Sequence, residues 1–363
     1  MNNKHAIRKS KGIPMCKARA ILLASTLLAA SVISAHAEVN VVASIKPVHS
    51  LVAAVMEGVG EPGLIVDGAG SPHNYALKPS QAQMLESADV VFWIGHELEA
   101  FLEKPLETIA ANAKSIELIN GHDLVKLGFR EGGAFERHDH GDEDGHEDHA
   151  EAGHEHDHEE KAEAHGHDHD HDHDHETAAH EDDHDEHAHG EYDAHIWLDP
   201  INAKAMVHEI EEALASADPA NAAKYEANAE AVSARLDTLI TEVSAKLEPV
   251  KGKGFIVFHD AYHYFENRFG VTAAGSITVS PEVMPGAERV TEIRAKVQEL
   301  GAACVFAEPQ FEPKLVSTVI EGTAAKSGII DPLGAELADG PDLYFEVIEN
   351  MADSIKTCLS EAS

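Results

Sequence analysis

Short apolar runs alternate along this chain with longer stretches in which apolar side chains recur every three or four residues. The short runs read as strands over residues 39–43, 63–66, 89–94 and 115–119. The stretches between them read as helices over 47–57, with Pro47 at the start, and over 80–87 and 97–113. Strands and helices in strict alternation predict a parallel sheet with helices on both faces. The rhythm returns in the second half. There 255–258, 271–274, 303–307 and 328–330 read as strands, and 287–300, 313–325 and 343–359 as helices. No short-period repeat is present, but the two halves can still share an architecture.

Between the halves lies a long uninterrupted helical pattern. Asp218-Pro219 supplies an N-cap followed by proline at the first helical position, and neither Gly nor Pro recurs before Leu247. Tyr225, Val232, Leu236, Leu239, Ile240, Val243 and Leu247 keep helical spacing. A helix of roughly 29 residues would span about 43 Å, enough to join two lobes. Pro249, Gly252 and Gly254 end it.

The pattern fails at two places, and each changes the picture. Residues 131–191 hold few apolar side chains, too few to offset the entropy of ordering, and read as a disordered insertion in the first lobe. Residues 138–191 carry 23 acids against one lysine, and 17 of the chain's 27 histidines. Most of the formal charge of −38 is therefore local. Such acidity excludes a nucleic-acid partner. Dense carboxylates raise imidazole pKa values and attract cations. His138, His140, His154, His156, His158, His165, His167, His169, His171, His173 and His175 are thus candidates for weak auxiliary metal binding, released by acid. The plain alternative is a solvated linker.

The second exception is the N-terminus. Lys4, Arg8, Lys9, Lys11, Lys17 and Arg19 precede a short apolar run at 21–33, and Ala35-His36-Ala37 fits a cleavage site. Residues 1–37 are expected to be a signal peptide, with Glu38 opening the mature chain in the periplasm. Cys16 precedes the apolar run, so it cannot be a lipidated residue. No other run is apolar and long enough to span a membrane. The expected organisation is a lobe over 38–217, a linking helix over 218–248 and a second lobe over 249–363. Cleavage leaves Cys304 and Cys358, and a lone pair in an exported protein favours a disulfide.

In parallel α/β sheets, ligands bind beyond the C-terminal ends of strands. Three histidines fall there: His73 in the loop after 63–66, His195 where organised sequence resumes, and His259 directly after 255–258. Three imidazoles are a good zinc set and leave a fourth tetrahedral position. Water or Asp331 could take it, though Asp331 also reads as a turn residue before Pro332. Nitrogen ligation favours zinc over manganese. Glu308 follows a strand and either orients a ligand histidine or bonds structurally. His49, His96, His122 and His208 lack the strand-end placement and read as structural or exposed. His259-Asp260-Ala261-Tyr262-His263 is a near miss of the HExxH zincin motif. A zinc hydrolase is the weaker reading, because His259 ends a strand and the base is shortened to Asp. His263 reads as a helix-surface residue near the site.

The ordered motifs carry a resemblance. Ala43-Ser44-Ile45-Lys46-Pro47, Gly70-Ser71-Pro72-His73-Asn74-Tyr75-Ala76-Leu77-Lys78-Pro79-Ser80 and Trp93-Ile94-Gly95 appear in the first half. His195-Ile196-Trp197-Leu198-Asp199-Pro200, Phe258-His259-Asp260-Ala261-Tyr262, Phe306-Ala307-Glu308-Pro309-Gln310-Phe311 and Asp331-Pro332-Leu333-Gly334 follow. Together they resemble the cluster A-I metal receptors of the ZnuA type, which serve zinc ABC importers. The resemblance implies an α/β fold of two lobes, each a mostly parallel sheet flanked by helices, joined by one long rigid helix with the metal in the cleft. It implies His73, His195 and His259 as zinc ligands, a Cys304–Cys358 bridge and a membrane permease as partner, and so a solute receptor and not an enzyme. Manganese receptors of the family tend to carry a carboxylate where His259 stands. Asp331 matches a carboxylate that binds metal in some relatives. Pro72 stands where some zinc receptors carry glutamate. A monomer is expected, with an accessory periplasmic zinc-binding protein as a further candidate partner. A periplasmic zinc buffer or chaperone is the alternative function.

Overall fold

The computed structural model describes residues 39–130, 135, 192–278, 285–299, 301, 304–311 and 314–361. The leader, Cys16, Glu38 and the eleven histidines singled out in the acidic tract lie outside the described residues.

The chain runs β1 (Val41–Ile45), α1 (Lys46–Val55), β2 (Gly63–Val66), α2 (Pro79–Glu86), β3 (Val90–Trp93), α3 (His96–Thr108) and β4 (Lys114–Glu117). Two helices follow the tract, α4 (Pro200–Ala217) and α5 (Ala222–Leu247). The second half runs β5 (Phe255–His259), α6 (His263–Phe269), β6 (Ala273–Thr278), α7 (Ala287–Glu299), β7 (Cys304–Ala307), α8 (Lys314–Ile320), β8 (Lys326–Ile329) and α9 (Leu343–Glu361). The first sheet has the order β2-β1-β3-β4 and the second β6-β5-β7-β8, with every pairing parallel. The two halves therefore repeat one topology. β1 and β5 sit inside their sheets and are buried along their whole length. That is why they read as continuous apolar runs and not as alternating ones.

Helix α5, 26 residues or about 39 Å long, joins the lobes. Asp218-Pro219 does not start it, contrary to the sequence reading. The Asp218 carboxylate accepts from the Tyr225 hydroxyl at 3.0 Å and from Asn221 Nδ2 at 2.6 Å, and the helix opens only at Ala222. Asp218 instead ends α4, a helix the sequence reading passed over. Its signals are plain in retrospect. Asp199 caps it by accepting from Ile201 N at 2.8 Å, Pro200 opens it, and Ala203, Met206, Val207, Ile210 and Leu214 form its buried stripe. A second connection also spans the lobes. Helix α9 packs on α1 of the first lobe and on β8 of the second. Cys358 on α9 is bonded to Cys304 on β7, as expected. No helix among the described residues is long and apolar enough to cross a membrane.

Glu99 is fully buried inside α3, where φ −117° and ψ 52° break the helix. Its carboxyl group bonds Ser44 Oγ and accepts from the backbone N–H of Ile94 and of Gly95, both at 3.0 Å. Burial outweighs these bonds and lifts its pKa to about 7. A folded-state pKa above the unfolded value gives a contribution present at low pH and lost as pH rises through about 7. Glu99→Gln should therefore stabilise the protein at pH 8 by up to about 3 kcal/mol and leave it unchanged near pH 4. Urea unfolding at the two pH values reads the difference, and an equal effect at both would contradict it.

Candidate metal centre

His73, His195 and His259 meet between the lobes. Pro72–Asn74 forms one 3-10 turn after β2, and Pro72 at its first position fixes the turn that presents His73. His195 immediately precedes the 3-10 turn Ile196–Leu198, whose residues are buried in the core. His259 is the last residue of β5, a strand in the interior of its sheet. Ring centroids lie 5.3 Å apart for His73–His195 and His195–His259, and 5.8 Å apart for His73–His259. One ring nitrogen from each falls within 4.8 Å of the others. Nε2 of His195 and Nε2 of His259 are 3.4 Å apart.

Two of the rings are fixed from behind. Nδ1 of His195 lies 2.7 Å from Asp193 Oδ1, which also accepts the His195 backbone N–H at 3.0 Å. Nδ1 of His259 lies 2.8 Å from Glu308 Oε1. A carboxylate on Nδ1 holds the proton there and leaves Nε2 a free lone pair. Both Nε2 atoms then face the shared space. Burial alone would lower the His259 pKa, but the Glu308 carboxylate more than offsets it and the net shift is upward. Among the described residues, no carboxylate is bonded to His73. Desolvation, then the neighbouring imidazoles, hold its pKa well below the ordinary histidine value.

The space between the rings is about 10 Å³, lined also by Pro72, Trp197, Gln310, Phe311 and Leu333. That is room for one small ion or water. Phe311 sets its ring edge-on to His259 at 5.7 Å and stacks on Phe258 at 4.9 Å. Asp331 is otherwise engaged. Its carboxylate accepts from Gln310 Nε2 at 2.8 Å and from the backbone N–H groups of Leu333, Gly334 and Ala335 at 3.1, 3.0 and 2.6 Å. That is the geometry of a turn-closing residue.

The structure also places the remaining histidines. His49 is buried in α1, with Nε2 3.0 Å from the Pro62 carbonyl. His122 is exposed beside Glu209 on α4, and His208 is exposed between Glu211 and Glu212. His263 opens α6, outside the cluster. His259 and His263 therefore do not share one helix, which removes the geometry of a zincin. His96, Glu97 and Glu117 form a second group of close ligand atoms. Local structure accounts for them: Glu97 sits in the first turn of α3, favourable for its dipole, and Asn120 Nδ2 donates to Glu117 Oε2 at 2.8 Å.

The three imidazoles and Glu308 singled out in the sequence are brought together here. Sequence reasoning missed Asp193, although an acid two residues before a candidate ligand was a usable signal. It also missed Trp197, whose Nε1 donates across the lobes to the Pro332 carbonyl at 2.9 Å. No local pattern marks that contact, since it joins residues 135 positions apart.

Comparison with known proteins supplies the family. The high-affinity zinc uptake system protein ZnuA of Brucella suis is 59% identical over 322 residues, 89% of this chain and 92% of its own length. A crystal structure of a ZnuA superposes with a TM-score of 0.65 at 22% identity, covering 89% of this chain and 99% of that one. The periplasmic zinc-binding protein TroA from Treponema pallidum superposes with a TM-score of 0.66 at 16% identity, covering 89% and 99%. The family model for ZnuA, the periplasmic component A of the zinc-uptake complex, matches residues 41–358. With the two-lobed fold and relatives this similar, the chain belongs to the ZnuA family of periplasmic zinc-uptake binding proteins, which are solute receptors and not enzymes.

Proposed function

We propose that this chain captures Zn²⁺ with high affinity in the periplasm, at His73, His195 and His259, and hands it to the membrane permease of an ABC importer. The observation that carries the reading is the convergence of three imidazoles on one ion-sized space. Two rings are already oriented by carboxylates, so little ordering remains to be done on binding. Three nitrogen donors suit zinc. Water takes the fourth position, because Asp331 closes its own turn and is not among the residues lining the space. Residues 1–37 direct export and are removed. The lobes run over 38–217 and 249–363, about the linking segment 218–248. The chain acts as a monomer.

The His/Asp/Glu tract gathers or buffers zinc near the cleft through weak sites. Zinc titration of the full chain and of a chain lacking residues 138–191 separates the two classes of site. The deletion should lose the weak equivalents and keep one tight equivalent, and it should slow uptake in zinc-starved cells. Loss of the tight equivalent would move the receptor site into the tract. Unchanged stoichiometry would remove the tract's role, and tight binding without permease-dependent uptake would make the protein a buffer.

A further inference from the structure

Chain leaving the first lobe toward the tract and chain returning from it pair side by side. Asp193 N donates to the Leu127 carbonyl at 2.9 Å, and Gly128 and Tyr192 form an antiparallel bridge. This neck belongs to the first lobe, yet the second lobe grips it. Tyr264, in the first turn of α6 and fully buried, accepts from Leu127 N at 3.0 Å and donates to the Asp193 carbonyl at 2.8 Å. One hydroxyl thus closes a ring over both strands of the neck. Arg130, on the outgoing strand, forks onto Asp260 and onto Glu266, the latter at 2.8 and 3.0 Å.

Asp193 is the residue whose side chain holds His195 by both its ring and its backbone N–H. Tyr264 follows His259 by five positions, and Asp260 is its neighbour in the chain. The grip on the neck is therefore one covalent step from a ligand of the second lobe and one hydrogen bond from the aiming group of a ligand of the first. Burial holds the Tyr264 hydroxyl protonated far above neutral pH, so the donor to Asp193 persists across the working range.

We propose that Tyr264, assisted by Arg130, is a positioning residue for the metal: from the second lobe it fixes Asp193, and through Asp193 it aims the His195 imidazole. The first lobe's ligand is thus set by the second lobe before any ion arrives. Opening the cleft releases the neck, frees Asp193 and slackens His195 in the same motion. This inference rests on the three-histidine site proposed above.

Co²⁺ in place of zinc reports ligand geometry through its visible d–d bands, and a chromophoric chelator times release of zinc. The full chain is compared with Tyr264→Phe, with Arg130→Lys and with Tyr225→Phe. The last removes a buried hydroxyl on α5 that bonds Asp218 in the turn between α4 and α5, outside the residues lining the site. Tyr264→Phe should shift the cobalt bands and speed zinc release about 3–10-fold, the loss of one or two buried hydrogen bonds. Arg130→Lys, which keeps the charge and loses the fork, should move both readouts the same way and stands in if Tyr264→Phe does not fold. Tyr225→Phe should lower thermal stability and move neither. Unshifted bands and unchanged release in Tyr264→Phe, or equal shifts in Tyr225→Phe, would overturn the inference alone. A wild-type chain showing no cobalt band typical of a nitrogen-rich four-coordinate site would overturn the site and the inference together.

Discussion

Alanine in place of His259 should weaken zinc binding more than a hundredfold, measured by competition with a chelator of known affinity. The magnitude follows from a comparison within the site. Loss of a hydrogen-bonding partner behind a ligand usually costs about 10–100-fold in metal affinity, and loss of the ligand itself must cost more. Glu308→Gln and Asp193→Asn therefore belong in the lower range, with His73→Ala and His195→Ala beside His259→Ala. An alanine variant no weaker than its matching carboxamide variant would remove that histidine from the site. The pH profile adds a second signature. Glu308 raises the His259 pKa, so protons compete with metal there as pH falls. Glu308→Gln leaves burial uncompensated and lowers that pKa. Its affinity at neutral pH should fall, and proton competition with the metal should set in at lower pH.

Removing the disulfide should cost about 4 kcal/mol of stability, the loop-entropy value for a bridge between residues 54 positions apart. Cys304→Ala with Cys358→Ala is the suitable pair, because Cys304 is fully buried and a hydroxyl there would be stranded. Urea unfolding of the double variant against the oxidised parent measures the loss. Zinc affinity should hardly change. Cys304 opens β7, whereas Glu308 follows its far end, about 13 Å away along the strand. A large loss of affinity would mean that the bridge holds the cleft and not only the lobe.

The parts of this fold that were legible in the sequence are those in which one local rule acts alone. Val41–Ile45 and Phe255–His259 are buried on both faces, so their apolar runs stand out. His259 was identifiable because such a run delivers it to the C-terminal end of an interior strand. The linking helix was legible in its body and wrong at its start. Asp218 and Pro219 satisfy a capping pattern, but the Asp218 carboxylate is drawn off by Tyr225 and Asn221. The four residues of chain between α4 and α5 use that pattern as a turn. Asp331 was balanced between ligand and turn because both need a carboxylate after a strand. Three backbone N–H groups pointing at its carboxylate favour the turn. Trp197, Tyr264 and Arg130 were invisible, since each acts across the interlobe gap on partners that sequence order does not pair.

Helices α5 and α9 pack against each other, and each touches elements of both lobes, α1 with α6 for α5 and α1 with β8 for α9. A single connecting strand can swivel about a few dihedral angles. Two helices side by side behave as a beam, and bending it would break backbone hydrogen bonds in both at once. The cheaper motions are sliding and small twists of packed elements, which displace the lobes by little. On the receptor reading proposed above, cargo then leaves without a wide gape. On that reading a slight sliding of the second lobe, enough to free the neck and slacken His195, is what releases the ion, and the beam stays intact.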